Sequence, residues 1–251
     1  MIPLRDDQPR TIFPYVNYVI IAANVGVFAY EFYLRTQDPK ALYSLYYQYG
    51  TIPHNFQLAF SDYSQLTVSG VFLTILTSMF MHVSVLHLIG NMWVLWIFGD
   101  NIEDHLGHVV YPIFYLLGGF LGSMAHIYAN PTSEVPSMGA SGAIAGVMGA
   151  FLLRYPQARV QLLVMFSWLA NVMWVSAWVV LAYWIGLQLL GQVLTDVFYK
   201  YTHEHTGGVA YWAHLGGFLS GMILIKVIPG HTQYRHGGWF TKEGKEVVPR
   251  E

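Results

Sequence analysis

Cysteine is absent from this chain. Without it there is no disulfide framework, no thiol nucleophile and no thiolate metal site, so covalent chemistry would have to come from a hydroxyl or an amine. Charge is scarce as well. Asp, Glu, Lys and Arg make up 10% of the 251 residues, where soluble domains carry roughly a quarter. The formal net charge of −2 offers no basic surface for nucleic acid, and that class of partner is set aside. The stretch MIPLRDDQPRTIFP lacks a basic segment running into an apolar core with a small-residue cleavage site, so no cleaved signal peptide is expected. No HExxH string is present, and neither a metal nor a cofactor is expected.

What fills the chain is apolar: 55% of its residues are hydrophobic. The expected solvent is therefore lipid, and the expected fold is an all-α polytopic bundle in one domain, residues 1–230, followed by a polar cytoplasmic tail at 231–251. Apolar runs place spans at about 15–34, 82–98, 109–129, 137–154, 175–198 and 208–228. A short helix is expected before the second span, with Ser84 as the cap of a helix whose first turn holds His87. The polar-aromatic stretch from 35 to 70 reads as a large loop partly seated in headgroups. The region from 159 to 198 fits two tight spans, or one span after an interfacial helix.

Basic residues favour the second choice. With six spans and both termini in the cytoplasm, that side holds Arg5, Arg10, Arg154, Arg159, Lys226, Arg235, Lys242, Lys245 and Arg250, and the other holds Arg35, Lys40 and Lys200. The acidic turn at Asp100, Glu103 and Asp104 adds no basic residue to this split. Under that parity the second, fourth and sixth spans run in the same direction. His87, Asn91, Ser141 and His214 then share one layer, roughly 5 to 15 Å below the outer surface, where buried polar groups are costly.

Small residues explain how two of these groups could meet. Gly139, Gly142 and Gly146 surround the serine, and Ala213, Gly217 and Gly221 repeat at four-residue spacing beside His214. Such spacing grooves a helix face and lets another backbone approach closely. A serine needs an imidazole within hydrogen-bond reach to become a nucleophile. A Gly-Ala-Ser cluster also serves helix packing alone, and by itself the string does not choose between the two uses.

The strings HLIGNM, GASGAIAG and AYWAHLGGFLSG, in that order, resemble the signature segments of rhomboid intramembrane serine proteases. The resemblance covers roughly residues 13–228. It implies a Ser-His dyad of Ser141 as nucleophile and His214 as base, with His87 and Asn91 helping the Ser141 backbone N–H to stabilise the oxyanion. It implies transmembrane proteins as substrates, a preference for small residues at the cut, and a gate at the fifth span. Two departures stand out. Residues 71–80 read VFLTILTSMF where many members carry a Trp-Arg pair, and Ala145 stands where some members place an aromatic ring against the catalytic histidine. What orients His214 is therefore open.

Other histidines have milder readings. His82 and His126 are possible supporting groups for the site, with a structural role preferred for His82. His203, Glu204 and His205 read as a solvated loop rather than a metal site. The competing functions are an inert rhomboid-like protein that binds membrane clients, and a small transporter with histidine-lined polar sites. Retention of Ser141 and His214 argues against the first, and clustering of the polar groups in one layer argues against the second. The expected location is a prokaryotic plasma membrane, with the site opening to the extracytoplasmic side.

Overall fold

The computed structural model describes residues 1–61, 66–166, 169–202, 209–230, 232–235, 238–241 and 246–247. The protein is a mainly helical, polytopic membrane protein. Helices α1 (Tyr15–Gln37), α5 (Val85–Leu106), α6 (Val110–Ala129) and α8 (Ala177–Thr202) contain segments long and apolar enough to cross a bilayer. Helices α7 (Ser141–Arg154) and α9 (Tyr211–Val227) are shorter, at 14 and 17 residues. Between α1 and α5 lie α2 (Pro39–Tyr49), α3 (Pro53–Ala59) and α4 (Val68–Ser78).

The region read as a headgroup loop is thus partly helical. Pro39 and Pro53 open α2 and α3, where a missing N–H costs nothing, and the Asp38 carboxylate caps α2 by accepting from the Ala41 N–H at 3.1 Å. Ser84 caps α5, its hydroxyl accepting from the His87 N–H at 3.2 Å. That helix runs on to Leu106, eight residues past the expected boundary at 98, because its last turns are buried with partners. Glu103 accepts from the N–H groups of Val16 and Asn17 at 3.0 and 2.7 Å, satisfying donors that the start of α1 cannot satisfy itself. Asp104 does the same for Thr11 and Ile12, at 2.6 and 2.7 Å. Carboxylates at a helix start also suit its positive end.

The interfacial helix expected before the fifth span is a β-hairpin instead. Strands β2 (Arg159–Phe166) and β3 (Leu169–Ser176) pair antiparallel, and β1 (Ile2–Asp6) adds to the other edge of β2. Val160, Leu162 and Val164 alternate with Gln161, Leu163 and Met165, and the first set faces the core. In so apolar a sequence the two-residue period is hard to separate from a helix. Short strands β4 (Thr232–Arg235), β5 (Gly238–Thr241) and β6 (Glu246–Val247) form a second antiparallel sheet in the C-terminal segment.

The centre of the bundle is α6, α7 and α9, held at backbone contact by small residues. A Cβ added at Gly217 would run into the Gly142 carbonyl, one at Gly221 into the Gly146 carbonyl, and one at Gly149 into the Phe218 carbonyl. On α6, a Cβ at Gly122 would sit 2.6 Å from the Ala213 oxygen. Gly221→Val is accordingly expected to destabilise the fold by at least about 3 kcal/mol, the upper end for overpacking, since backbone rather than a side chain must yield. Thermal unfolding in detergent checks this, with Gly26→Ala as the control, because a Cβ at Gly26 meets nothing within 4 Å.

Strand β1 carries a second testable feature. Burial, and then the neighbouring charges of Asp100 and Asp7, push the Asp6 carboxyl up from 3.8 to about 7. Its oxygens accept from the Gln8 N–H at 2.7 Å and the Asn101 side-chain amide at 3.1 Å. A carboxyl whose folded value lies above its unfolded one takes up a proton on docking, so its contribution is complete below about pH 4 and lost as pH rises through about 7. Amide exchange in residues 2–6 should accelerate between about pH 4 and 7 beyond its intrinsic pH dependence, by about tenfold per unit at most, and gain nothing further above 7, in the native chain and not in Asp6→Asn.

Candidate active site

Ser141 is the first residue of α7, and His214 lies in the first turn of α9. Backbone contact between these helices brings the two side chains together: His214 Nε2 and Ser141 Oγ are 2.7 Å apart, although the residues are 73 positions apart in sequence. His214 is buried and Ser141 half-buried. Ser141 begins its helix where the apolar runs suggested about one turn of depth, and His214 lies in the first turn of its helix where they suggested between one and two.

Gly139 was grouped with the packing glycines, and its place is different. It precedes α7 with φ of +136°, a conformation L side chains rarely adopt. A Cβ there would also meet the His87 ring at 2.8 Å. Gly139 thus lets the chain turn into α7 while the His87 imidazole lies against it. Gly142 and Gly146, by contrast, face Ala213, Gly217 and Gly221 across the α7–α9 contact.

His87 sits in the first turn of α5 and Asn91 one turn further on. Both line a cavity of about 1050 Å³ that also contains Ser141, His126 and His214. The Asn91 side-chain nitrogen lies 2.9 Å from His82 Nε2, and the His82 N–H donates to Glu31 Oε2 at 3.1 Å. His82 therefore braces Asn91, and its ring meets that of His87 edge-on at 5.1 Å. His126 bonds Asn130 at 3.3 Å at the end of α6 and lines the cavity wall. Residues His203, Glu204 and His205 lie outside the described residues; among the described ones no cluster of three metal-ligating side chains occurs.

Two residues of this site escaped the sequence reading. Gln188 Oε1 lies 2.7 Å from His214 Nδ1, and the Trp184 ring lies 5.6 Å from the His214 ring, tilted by 37°. Both come from α8, one helical turn apart. Ala145, where an aromatic was missed, belongs to the buried core, and a ring from another helix stands beside the histidine. The available signal was a pair of glutamines, Gln188 and Gln192, one turn apart in an apolar helix, which announces polar partners without naming them.

The arrangement offers a hydroxyl bonded to an imidazole at the start of a helix, where the first N–H groups have no intrahelical acceptor and favour negative charge. A family model described as the Rhomboid domain matches residues 69–230, nearly two-thirds of the chain. The chain belongs to the rhomboid family. Similar relatives include presenilin-associated rhomboid-like protein A, mitochondrial, of Danio rerio, 32% identical over 155 residues, covering 61% of this chain and 37% of the relative. RHOMBOID-like protein 1 of Arabidopsis thaliana is 26% identical over 245 residues, covering 92% of this chain and 56% of the relative. Rhomboid protein 1, mitochondrial, of Saccharomyces cerevisiae is 27% identical over 241 residues, covering 89% and 58%. The chain thus spans between about two-fifths and three-fifths of the length of these relatives.

These relatives correct one expectation. A prokaryotic plasma membrane was expected from short termini and the lack of a transit peptide, but these relatives are eukaryotic, and those of Danio rerio and Saccharomyces cerevisiae are mitochondrial by name. Apolar spans report a bilayer and do not distinguish one membrane from another.

The rhomboid site also depends on the turn before its serine. In Gly139→Ala the backbone conformation alone costs about 1–3 kcal/mol, and the contact with His87 adds to that. Labelling of Ser141 by a fluorophosphonate should fall at least about tenfold with helix content retained. Equal labelling would show that the turn accepts a side chain.

Proposed function

We propose that this rhomboid is an intramembrane serine endopeptidase that cuts transmembrane or membrane-proximal segments through a Ser141–His214 dyad. The observation that carries the proposal is the 2.7 Å contact between Ser141 Oγ and His214 Nε2. His214 Nε2 takes the hydroxyl proton as Oγ attacks a peptide carbonyl carbon, and the carbonyl oxygen becomes an oxyanion. The Ser141 N–H, the Asn91 amide and a ring N–H of His87, all from residues lining the cavity, are the donors for that charge. The imidazolium then passes its proton to the leaving amine, and the C–N bond breaks to leave an acyl-enzyme. Water, deprotonated by His214, attacks the ester, and collapse returns the proton to Ser141 Oγ with release of the new carboxylate.

The short helices support a site below the membrane surface. Fourteen residues of α7 rise about 21 Å, less than the roughly 30 Å hydrocarbon core. With the Arg154 end of α7 at one surface, Ser141 lies several ångströms inside the other. The cavity beside the dyad gives water and an unwound peptide a place to meet it. Mitochondrial relatives support a mitochondrial membrane as the place of work.

In liposomes carrying a single-span substrate, Ser141→Ala and His214→Ala should each reduce cleavage at least about 10³-fold with the fold intact. Asn91→Ala should reduce kcat by about 10²- to 10³-fold, as expected for loss of one oxyanion donor. Unchanged cleavage in the serine or histidine variant contradicts the dyad and favours a client-binding role.

A further inference from the structure

We infer that Gln188 is the positioning residue for the catalytic base: its side-chain oxygen holds the Nδ1 proton of His214 and so leaves the Nε2 lone pair aimed at Ser141. This inference rests on the dyad reading above. It adds a third group that no feature of the dyad demands.

The argument starts with the glutamine amide, whose two ends are chemically different. Gln188 Nε2 donates to the Trp184 carbonyl oxygen at 3.3 Å, one turn back along α8. Oε1 therefore faces His214 Nδ1, at 2.7 Å. An amide oxygen can only accept, so Nδ1 must carry the proton. A neutral imidazole has one ring proton, and with Nδ1 protonated Nε2 is a lone pair, 2.7 Å from the Ser141 hydroxyl. The opposite assignment would turn the amide over. Its oxygen would then face the Trp184 carbonyl, and Nε2–H would compete with the hydroxyl proton for the same space. One hydrogen bond in α8 thus selects the tautomer that can act as base.

Trp184 complements the selection by restricting the ring. Its indole lies 5.6 Å from the imidazole and 6.3 Å from Phe218, so it bridges the histidine to the residue one turn further along α9. Gln188 fixes which nitrogen carries the proton, while Trp184 limits how far the ring can rotate. The amide is neutral, unlike the carboxylate of a serine-protease triad. It orients the base and offers little charge to the imidazolium that forms during attack. The helix that supplies both contacts is also the least buried of the four long apolar helices, with 17% of its span window inside the protein against 28% to 50% for the others. Separation of α8 from α9 would take the orienting group away from the base.

Replacing a triad carboxylate with an amide that allows the wrong tautomer costs about 10⁴-fold in kcat; a neutral acceptor contributes less, and we expect Gln188→Leu to lower kcat about 10- to 100-fold with KM within about twofold. Gln188→Glu keeps an acceptor at the same reach and should retain at least about half of the native kcat. The full chain labelled with ¹⁵N-histidine reports the tautomer directly by solid-state NMR, with the His214 signals assigned by difference from His214→Ala. Native protein and Gln188→Glu should show Nδ1 protonated and Nε2 bare, whereas Gln188→Leu should show a mixture of both tautomers. The assignment is overturned if Gln188→Leu keeps the native tautomer, whatever its activity. It is also overturned if the loss appears in KM and kcat alike and Gln188→Glu does not restore it, since that pattern is loss of α8 packing. If the native protein cleaves nothing, the protease reading fails, and the NMR comparison still decides the role of Gln188.

Discussion

Everything at the site depends on two backbones touching. Gly142 and Gly146 on α7 face Gly217 and Gly221 on α9, where a Cβ on either α9 glycine would run into the facing carbonyl. In a lipid solvent, helices gain nothing from hiding apolar surface from water, so close packing and interhelical polar contacts must hold them together. Here both consequences arise at one place. The small residues bring the helices within van der Waals contact, and that spacing puts a hydroxyl within hydrogen-bond reach of an imidazole. A bulkier seam would preserve two helices and lose the chemistry.

The rest of the molecule can be understood as support for that seam. At one end of the bundle, α5, α7 and α9 carry His87, Ser141 and His214 in their first turns. At the other end, the buried carboxylates of Glu103 and Asp104 tie down the chain leading into α1, and Arg154 reaches His105 at 3.1 Å. Burying such carboxylates alone would be costly; here Glu103 accepts from the first turn of α1 and Asp104 from the chain leading into it, two or more hydrogen bonds each. Strand β1 closes over this end by pairing with β2, and Trp93 on α5 donates to the Pro3 carbonyl at 2.5 Å. One end of the protein is thus fixed by hydrogen-bonded carboxylates, and the opposite end keeps a polar cavity. Between them, α6 braces α7 and α9.

Much of this was legible in the sequence because small and polar residues are conspicuous against an apolar background. GASGAIAG and AYWAHLGGFLSG pointed to the seam, and Ser84 before His87 marked the start of α5. Illegible features share a physical cause: their partners are distant in sequence. Glu103 and Asp104 looked like an acidic turn because hydropathy counts charge without seeing the N–H groups of residues 11–17 that accompany it into the interior. Residues 159–176 looked like an interfacial helix because apolar residues on both faces of β2 and β3 hide a period of two, and the strand that pairs with β2 lies at residues 2–6. Gly139 carries the same residue type as the seam glycines but is needed for its backbone angle. Gln188 gave no indication of whether it met His214, another helix or lipid, and its role emerged only from the distance.

The absence of cysteine allows the central contact to be tested without background. Gly142 and Ala213 lie across the seam, with the Ala213 Cβ 3.8 Å from the position of a Cβ on Gly142, within the usual separation for a disulfide of about 3.5–4.5 Å. The double variant Gly142→Cys, Ala213→Cys, oxidised mildly in the membrane, should form an intramolecular bond that shifts the chain on a gel and is reversed by reductant. Free thiols in both positions after oxidation, in a chain that remains folded, would mean that α7 and α9 do not meet there and that Ser141 and His214 are not held together as described.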